Sequence, residues 1–304
     1  MIGKTGYPEV LIGPLFLRKE GLMKLRKLIS ANTLLVLIGL AGLGLIFYPS
    51  IANWWNSSHA TRAVEVYDDT VEKMSNEKKA ELLKEAEAYN NLLAQQPDPF
   101  FAGEGMDQKY EDTLNIDDRG MIGSLTIPSI NVNLPIYHGT DEGTLRQFLG
   151  HIQGTSLPVG MIGSHAAISG HSGLPSQRLF TDLERLREGD MFTLHVAGKN
   201  MTYQVDQIRT VLPDEIQDLK VIEGEDLVTL VTCTPYGINT HRLLVRGHRV
   251  TGVDELLDSS QSSILLSRTI VMLILTVFFI LVLLIGFFIY RHSQKRKQRR
   301  KRAG

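Results

Sequence analysis

The chemistry this chain can do turns on its single cysteine, Cys233, which ends the apolar run Thr229-Leu230-Val231-Thr232 and is followed by Thr234-Pro235. Such a run reads as a strand that the proline stops, so the sulfur belongs at a strand rim, where a side chain can meet a substrate. Attack requires thiolate, and a free thiol titrates near 8.5, so an imidazolium or another cation has to stand nearby. The candidates are the nine histidines and the group Arg242, Arg246 and Arg249 on the following strand. Arg242, Leu244 and Arg246 alternate with Leu243 and Val245, so the two arginines share one face. An arginine beside the sulfur supplies donors to a developing oxyanion. By themselves these features leave two readings open. A strand cysteine is more often an inert core residue, and an arginine row is as often a solvated outer face.

Two histidines compete for the proton-transfer role. His171 stands in Ser169-Gly170-His171, 62 residues before the cysteine, and His165 precedes it by six on what period two makes the same face. His138, His151, His195, His241 and His248 read as surface or barrel residues. One cysteine excludes an intramolecular disulfide and a zinc site of the multi-cysteine type. No metal-ligand set stands out, and no cofactor is expected.

The elements that must position these residues are mostly short strands. From Gly120 the candidates are 121–127, 134–137, 161–168, 191–196, 201–211, 227–232 and 241–250, several alternating with period two between Gly, Asp, Asn or Pro. A short helix is expected over 141–149 and a helical turn over 179–186. Seven or eight strands with few helices predict a closed barrel or a sandwich. Upstream, 61–93 is helical in pattern. Leu82, Ala86, Tyr89 and Leu93 make one apolar stripe, and Ser75 or Asn76 caps the second helix; the expectation there is a spacer. Gln96-Pro97-Asp98-Pro99-Phe100-Phe101 carries two prolines that break helix, and it reads as an exposed linker.

Charge is divided along the chain. Residues 50–262 hold 17 Lys and Arg against 31 Asp and Glu, whereas 291–304 hold eight Lys and Arg and no acid. The acidic middle excludes nucleic acid as a partner, because phosphate binding needs a basic surface. The run 269–290 is almost pure Val, Ile, Leu, Phe and Met. Its 22 residues, at about 1.5 Å each, match a hydrocarbon core of about 30 Å. A shorter apolar segment, 33–48, is ended by Pro49 and preceded by Lys24, Arg26 and Lys27, the pattern of a signal peptide or signal anchor. Met23 followed by Lys24-Leu25-Arg26-Lys27 looks like a natural signal start, which would leave 1–22 outside the native product. Basic flanks stay in the cytoplasm, so two spans place residues ~50–262 outside the membrane and both termini inside.

Together these residues resemble a known family, the sortases. Thr229-Leu230-Val231-Thr232-Cys233 fits the signature Thr-Leu-x-Thr-Cys, with Arg242 nine residues later, Ser169-Gly170-His171 is similar to the catalytic histidine segment, and Gly123-Ser124-Leu125-Thr126-Ile127-Pro128 resembles the first barrel strand. The resemblance covers residues ~60–255. It is nearest to class C, the pilus-assembling members. His171-Ser172-Gly173-Leu174-Pro175 is similar to that class's His-Arg-Gly-Leu-Pro, with Ser172 standing where Arg is usual. Asp98-Pro99-Phe100 matches its lid motif, Gly154-Thr155-Ser156-Leu157-Pro158 matches a further stretch, and a C-terminal span is typical.

The resemblance implies a mainly β, sortase-like eight-stranded barrel with short helices, N-terminal helices and a transmembrane helix at each end. It implies Cys233 as nucleophile, His171 as general acid and base, Arg242 for the oxyanion or substrate carbonyl, Thr232 at the substrate, and Asp98, Pro99 and Phe100 as a lid. In that lid Asp98 is expected to pair with Arg242 while Phe100 packs over Cys233. Ser172 is expected in a surface loop with little effect on the triad. The implied reaction cleaves a sorting signal resembling Leu-Pro-x-Thr-Gly between Thr and Gly, forms a thioester on Cys233 and joins pilin subunits through a lysine isopeptide bond. The division of the chain is then a cytoplasmic segment 1–32, a signal anchor or peptide 33–49 and a membrane-proximal helical segment 50–95. Lid and linker 96–119 precede the barrel 120–255, a linker 256–268, the transmembrane helix 269–290 and a basic tail 291–304. The partners implied are pilins with an acceptor lysine and the cytoplasmic membrane. Three other functions remain open: a housekeeping sortase anchoring proteins to peptidoglycan, a cysteine endopeptidase, and a non-enzymatic membrane-tethered pilus assembly scaffold.

Overall fold

A computed structural model describes residues 31–101, 103–116 and 119–252, with 274, 277–279, 281, 282, 285, 286, 291 and 292 in the C-terminal segment. Residues 1–30 of the expected segment 1–32, the linker 256–268 and most of 269–304 lie outside the described residues, while the described positions from 274 to 292 are helical.

Helix α1 spans Ala31–Glu72 and contains Pro49, so the break expected there is not made. The portion Leu37–Glu72 is long and apolar enough to cross a membrane, with a best mean hydropathy of 1.4. Helix α2 spans Asn76–Leu93, and Ser75 caps it by accepting the Lys78 N–H at 3.3 Å. Helix α3, Glu104–Asp112, falls inside the segment expected to be linker.

Eight strands come next: β1 Met121–Ile127, β2 Val132–His138, β3 Leu149–His151, β4 Ser164–Ser169, β5 Met191–Val196, β6 Lys199–Val211, β7 Asp226–Thr234 and β8 His241–Val250. They close into a barrel in the order β1-β2-β3-β4-β7-β8-β6-β5. The β2–β3 and β4–β7 pairs are parallel and the others antiparallel. The helix expected over 141–149 is one turn, Glu142–Leu145, capped by Asp141. The rest of that stretch leads into β3, whose three residues are too few to show an alternation.

Alternate residues of β4, β7 and β8 fill the barrel. Ala166, Ile168, Val228, Leu230, Leu243 and Val245 join its main cluster, while Ala167, Val231 and Leu244 make a separate cluster on the outside with Val211 and Leu219. The helices are not a spacer. Ala86, Tyr89 and Leu93 of α2 and Tyr110 of α3 are buried in the main cluster. Each large side chain sequestered this way contributes about 2 kcal/mol. Asn90 of α2 exchanges two bonds with the Leu157 backbone, at 2.9 and 2.7 Å. Tyr67 of α1 donates to the Ile122 carbonyl at 2.7 Å and accepts from the Ala197 N–H.

Candidate active site

Period two along β7 places Cys233 on the face of Val231, which is the outside of the barrel. The sulfur is therefore not sealed in the interior, and the residue is half-buried. Across the antiparallel β7–β8 pair its Cα partner is Arg242. By the same alternation Arg242 shares the outer face with Leu244 and Arg246. The sequence pattern therefore described that face correctly, and it is the face that carries the sulfur.

The third residue arrives on β4. This strand runs parallel to β7 with Ser169 opposite Val231, and the ladder continues one bond further, from Gly170 N–H to the Val231 carbonyl at 3.0 Å. Beyond it, Thr232 Oγ1 donates to the Gly170 carbonyl at 2.7 Å and Ser172 Oγ donates to the Cys233 carbonyl at 2.7 Å. His171 lies between those two bonds, and its own carbonyl accepts from Phe180 N–H at 3.0 Å. The half-buried His171 is thus held between two neighbours, Gly170 and Ser172, that are bonded to Thr232 and Cys233 of β7.

A small cleft of about 230 Å³ opens at this rim, lined by Ser172, Phe180, Thr232, Cys233, Tyr236 and Leu243. A larger open groove of about 940 Å³, which includes Tyr67, Ser124 and His195, lies against β1, β2 and β5. Those strands are across the barrel from β7, so size does not select the site.

Arg242 Nη1 donates to the carbonyls of His241 at 3.1 Å and Asn239 at 3.4 Å. Among the described residues no carboxylate pairs with it. Arg246 differs: its guanidinium meets both oxygens of Asp206, at 3.0 and 3.1 Å. Arg246 is therefore a structural ion pair, and Arg242 keeps donors for a ligand.

The competing histidine is committed elsewhere. His165 is buried, with Nδ1 at 2.8 Å from the Lys220 carbonyl and Nε2 at 2.7 Å from Thr229 Oγ1. Burial lowers its proton affinity, against the smaller effect of the Lys220 carbonyl. His151 is fully buried between Tyr110 and the Ser156 carbonyl, and desolvation pushes it down to about 4. His138 is likewise lowered by burial. His195 bonds Thr126 and Asn200. Among the described residues no cluster of three or more His, Cys, Asp or Glu could hold a metal.

Of the contacts expected for the lid, the pair between Asp98 and Arg242 is not made. Asp98 is exposed, and its Oδ1 accepts the Phe100 N–H at 3.1 Å instead of meeting Arg242. Phe100 and Pro99 press on Gly154, where an added Cβ would lie 2.7 Å from Phe100 Cδ1 and 3.0 Å from the Pro99 carbonyl. Ile152 and Ser156, which flank that glycine, bond Ala167 and His165 on the earlier part of β4. His171 and Cys233 emerge past its other end. Phe100 is thus held against the turn that carries Gly154.

Two contacts had no signal in the sequence pattern. The Tyr236 ring lies over Gly173, 3.3 Å from where a Cβ would stand, although the side chain is 61% exposed. Asn53 and Asn56 of α1 reach the loop after His171, Asn53 Oδ1 accepting the Arg178 N–H and Asn56 Nδ2 donating to the Ser176 carbonyl. Both are single side-chain bonds across more than a hundred residues, which no local periodicity announces.

Known proteins resemble this chain in both sequence and fold. A family model described as Sortase domain matches residues 125–250. The crystal structure of sortase C1 from Streptococcus agalactiae is similar at 46% identity, covering 63% of this chain and 99% of that one, with a TM-score of 0.61. A Clostridium perfringens sortase C, solved with its C-terminal cell wall sorting motif, is 39% identical over 64% of this chain and all of that one, with a TM-score of 0.55. Among curated relatives, sortase A of Bacillus anthracis is 28% identical over 138 residues, 45% of this chain; the chain spans 63% of that relative's length.

Proposed function

Because this chain belongs to the sortase family and stands with its class C members, we propose that it is a cysteine transpeptidase that joins pilin subunits through their sorting signals. The observation that carries the reading is Cys233 opposite Arg242 on the barrel's outer face, with Gly170 and Ser172, the neighbours of His171, bonded to Thr232 and Cys233.

In this reading the Cys233 sulfur attacks the carbonyl carbon of Thr in a Leu-Pro-x-Thr-Gly-like signal. The Arg242 N–H groups receive the charge that develops on the carbonyl oxygen. The bond to Gly breaks, and His171 gives the departing amine its proton. The Thr carbonyl is left as a thioester on Cys233. A lysine amine of a second pilin then attacks it, passing a proton to His171, and an isopeptide bond forms as the thiolate leaves. Splitting the transfer this way replaces one hard step by two easier ones.

Anchoring in the membrane fits the apolar stretch of α1. The second span at 269–290, and with it a catalytic domain outside and both termini inside, is the topology this reading adopts.

The test is to incubate the full chain in detergent with a sorting-signal peptide and a lysine-bearing pilin, and to read the products by mass spectrometry. The expected result is a thioester on Cys233 and an isopeptide product that disappears in Cys233→Ala. Transfer to a peptidoglycan amine but not to the pilin lysine would make it an anchoring sortase. Release by water regardless of amine would make it an endopeptidase. Pilus polymers persisting in a Cys233→Ala strain would make it a scaffold.

A further inference from the structure

Resting on that transpeptidase reading, we propose that Ser172 is a positioning residue that sets His171 against Cys233. Strand β4 ends at Ser169, and only Gly170 N–H extends its ladder onto β7. The next two links are side-chain bonds: Thr232 Oγ1 to the Gly170 carbonyl before His171, and Ser172 Oγ to the Cys233 carbonyl after it. Tyr236, just beyond β7, packs on Gly173 without a hydrogen bond, and the remaining hydrogen bonds of this stretch, Phe180 N–H to the His171 carbonyl and Gly173 N–H to Thr181 Oγ1, run to the 180–181 segment and not to the strand that bears the sulfur. Ser172 is therefore what fastens the far side of His171 to the nucleophile's own backbone.

Here a half-buried serine makes the link at 2.7 Å. A proton must pass from His171 to a leaving amine held on the same centre as the sulfur, so slack between the two residues acts on turnover. The Ser172 O–H is committed to the Cys233 carbonyl, so its loss acts first on how His171 and Cys233 are held together.

The experiment compares Ser172→Ala and Ser172→Thr with the parent, as full chains in detergent, measuring kcat and KM for the sorting-signal peptide together with the melting temperature. For Ser172→Ala the expected result is a fall in kcat of about tenfold with KM changed less than about twofold, and melting within about 2 °C of the parent. Ser172→Thr, which keeps a hydroxyl, restores kcat. Parental kcat in Ser172→Ala overturns the proposal. So does equal impairment of both variants, or a fall in kcat accompanied by higher KM and lower melting, which marks a merely structural role. A parent that forms no thioester at all defeats the transpeptidase reading, an outcome distinct from these.

Discussion

Arg242 faces Cys233 directly across the β7–β8 pair, and its guanidinium rests on the backbone carbonyls of Asn239 and His241 instead of on an acid. A half-buried guanidinium with five N–H donors and two carbonyl contacts from one nitrogen is underused in the free protein. Its unused donors suit an oxygen that acquires charge during the reaction. Arg242→Ala should lower kcat by about 10²- to 10³-fold, the usual cost of losing an oxyanion donor. Arg242→Lys should recover only part of this, because a point charge does not reproduce the planar fork. Melting should change little in either variant, and acyl-enzyme formation by mass spectrometry measures the kinetic loss.

His165 and His171 separate by what their rings do. The His165 ring is bonded at both nitrogens and buried, whereas His171 is half-buried and is bonded through its backbone carbonyl. His171→Ala should abolish detectable transfer while leaving the barrel folded. His165→Gln should keep transfer within about threefold of the parent and lower stability by about 1–3 kcal/mol, the cost of disturbing a buried hydrogen-bonded group. Transfer rates and thermal melting of the two variants side by side distinguish the roles, and loss of transfer in His165→Gln with unchanged melting would reverse the assignment.

The barrel was legible where strands alternate or are bounded by Gly and Pro. The bounds 121–127, 191–196 and 241–250 read from the sequence are those of β1, β5 and β8. Strand β3 was not legible, since three residues carry no period. Tyr110 was missed because a polar nine-residue helix with one buried aromatic shows no stripe, and its burial depends on β3 and on the Gly139 backbone. Cys233 and Arg242 were legible as strand neighbours. The place of His171 depended on motif resemblance, because a residue just past a strand end is positioned by tertiary bonds from Thr232 and Ser172. The same is true of the lid: Asp98 and Phe100 were recognised as a motif, but their partner is set by Gly154, a residue with positive φ that only the folded chain brings near.

The position of Phe100 yields a prediction opposite in sign to that of an occluding lid. Because Phe100 packs on Gly154 and Asp98 caps the Phe100 amide, Asp98→Ala combined with Phe100→Ala should leave the alkylation rate of Cys233 within about twofold of the parent. Gly154→Ala should perturb the 99–101 turn, since a Cβ there collides with Phe100 and the residue already sits at φ +90. A strong rise in alkylation of the double variant would show that the segment covers the sulfur in the free enzyme after all.

Stability should respond to acid through buried histidines before the carboxylates titrate. His151 is held neutral by desolvation, down to about 4 from an ordinary value of 6.5, and burial lowers His138 and His165 in the same direction. A folded state that takes up protons less readily than the unfolded chain loses stability as pH falls below the unfolded value, and the loss for His151 continues until pH reaches about 4. At 1.36 kcal/mol per unit, the His151 contribution amounts to about 3 kcal/mol. Asp226 opposes this from about 3.8 upward, because burial raises its carboxyl. The melting temperature of the parent should therefore fall between about pH 6.5 and pH 4.5. His151→Gln, which keeps an amide donor for the Ser156 carbonyl, should flatten that dependence. An equally steep fall in this variant would assign the acid sensitivity to groups other than His151.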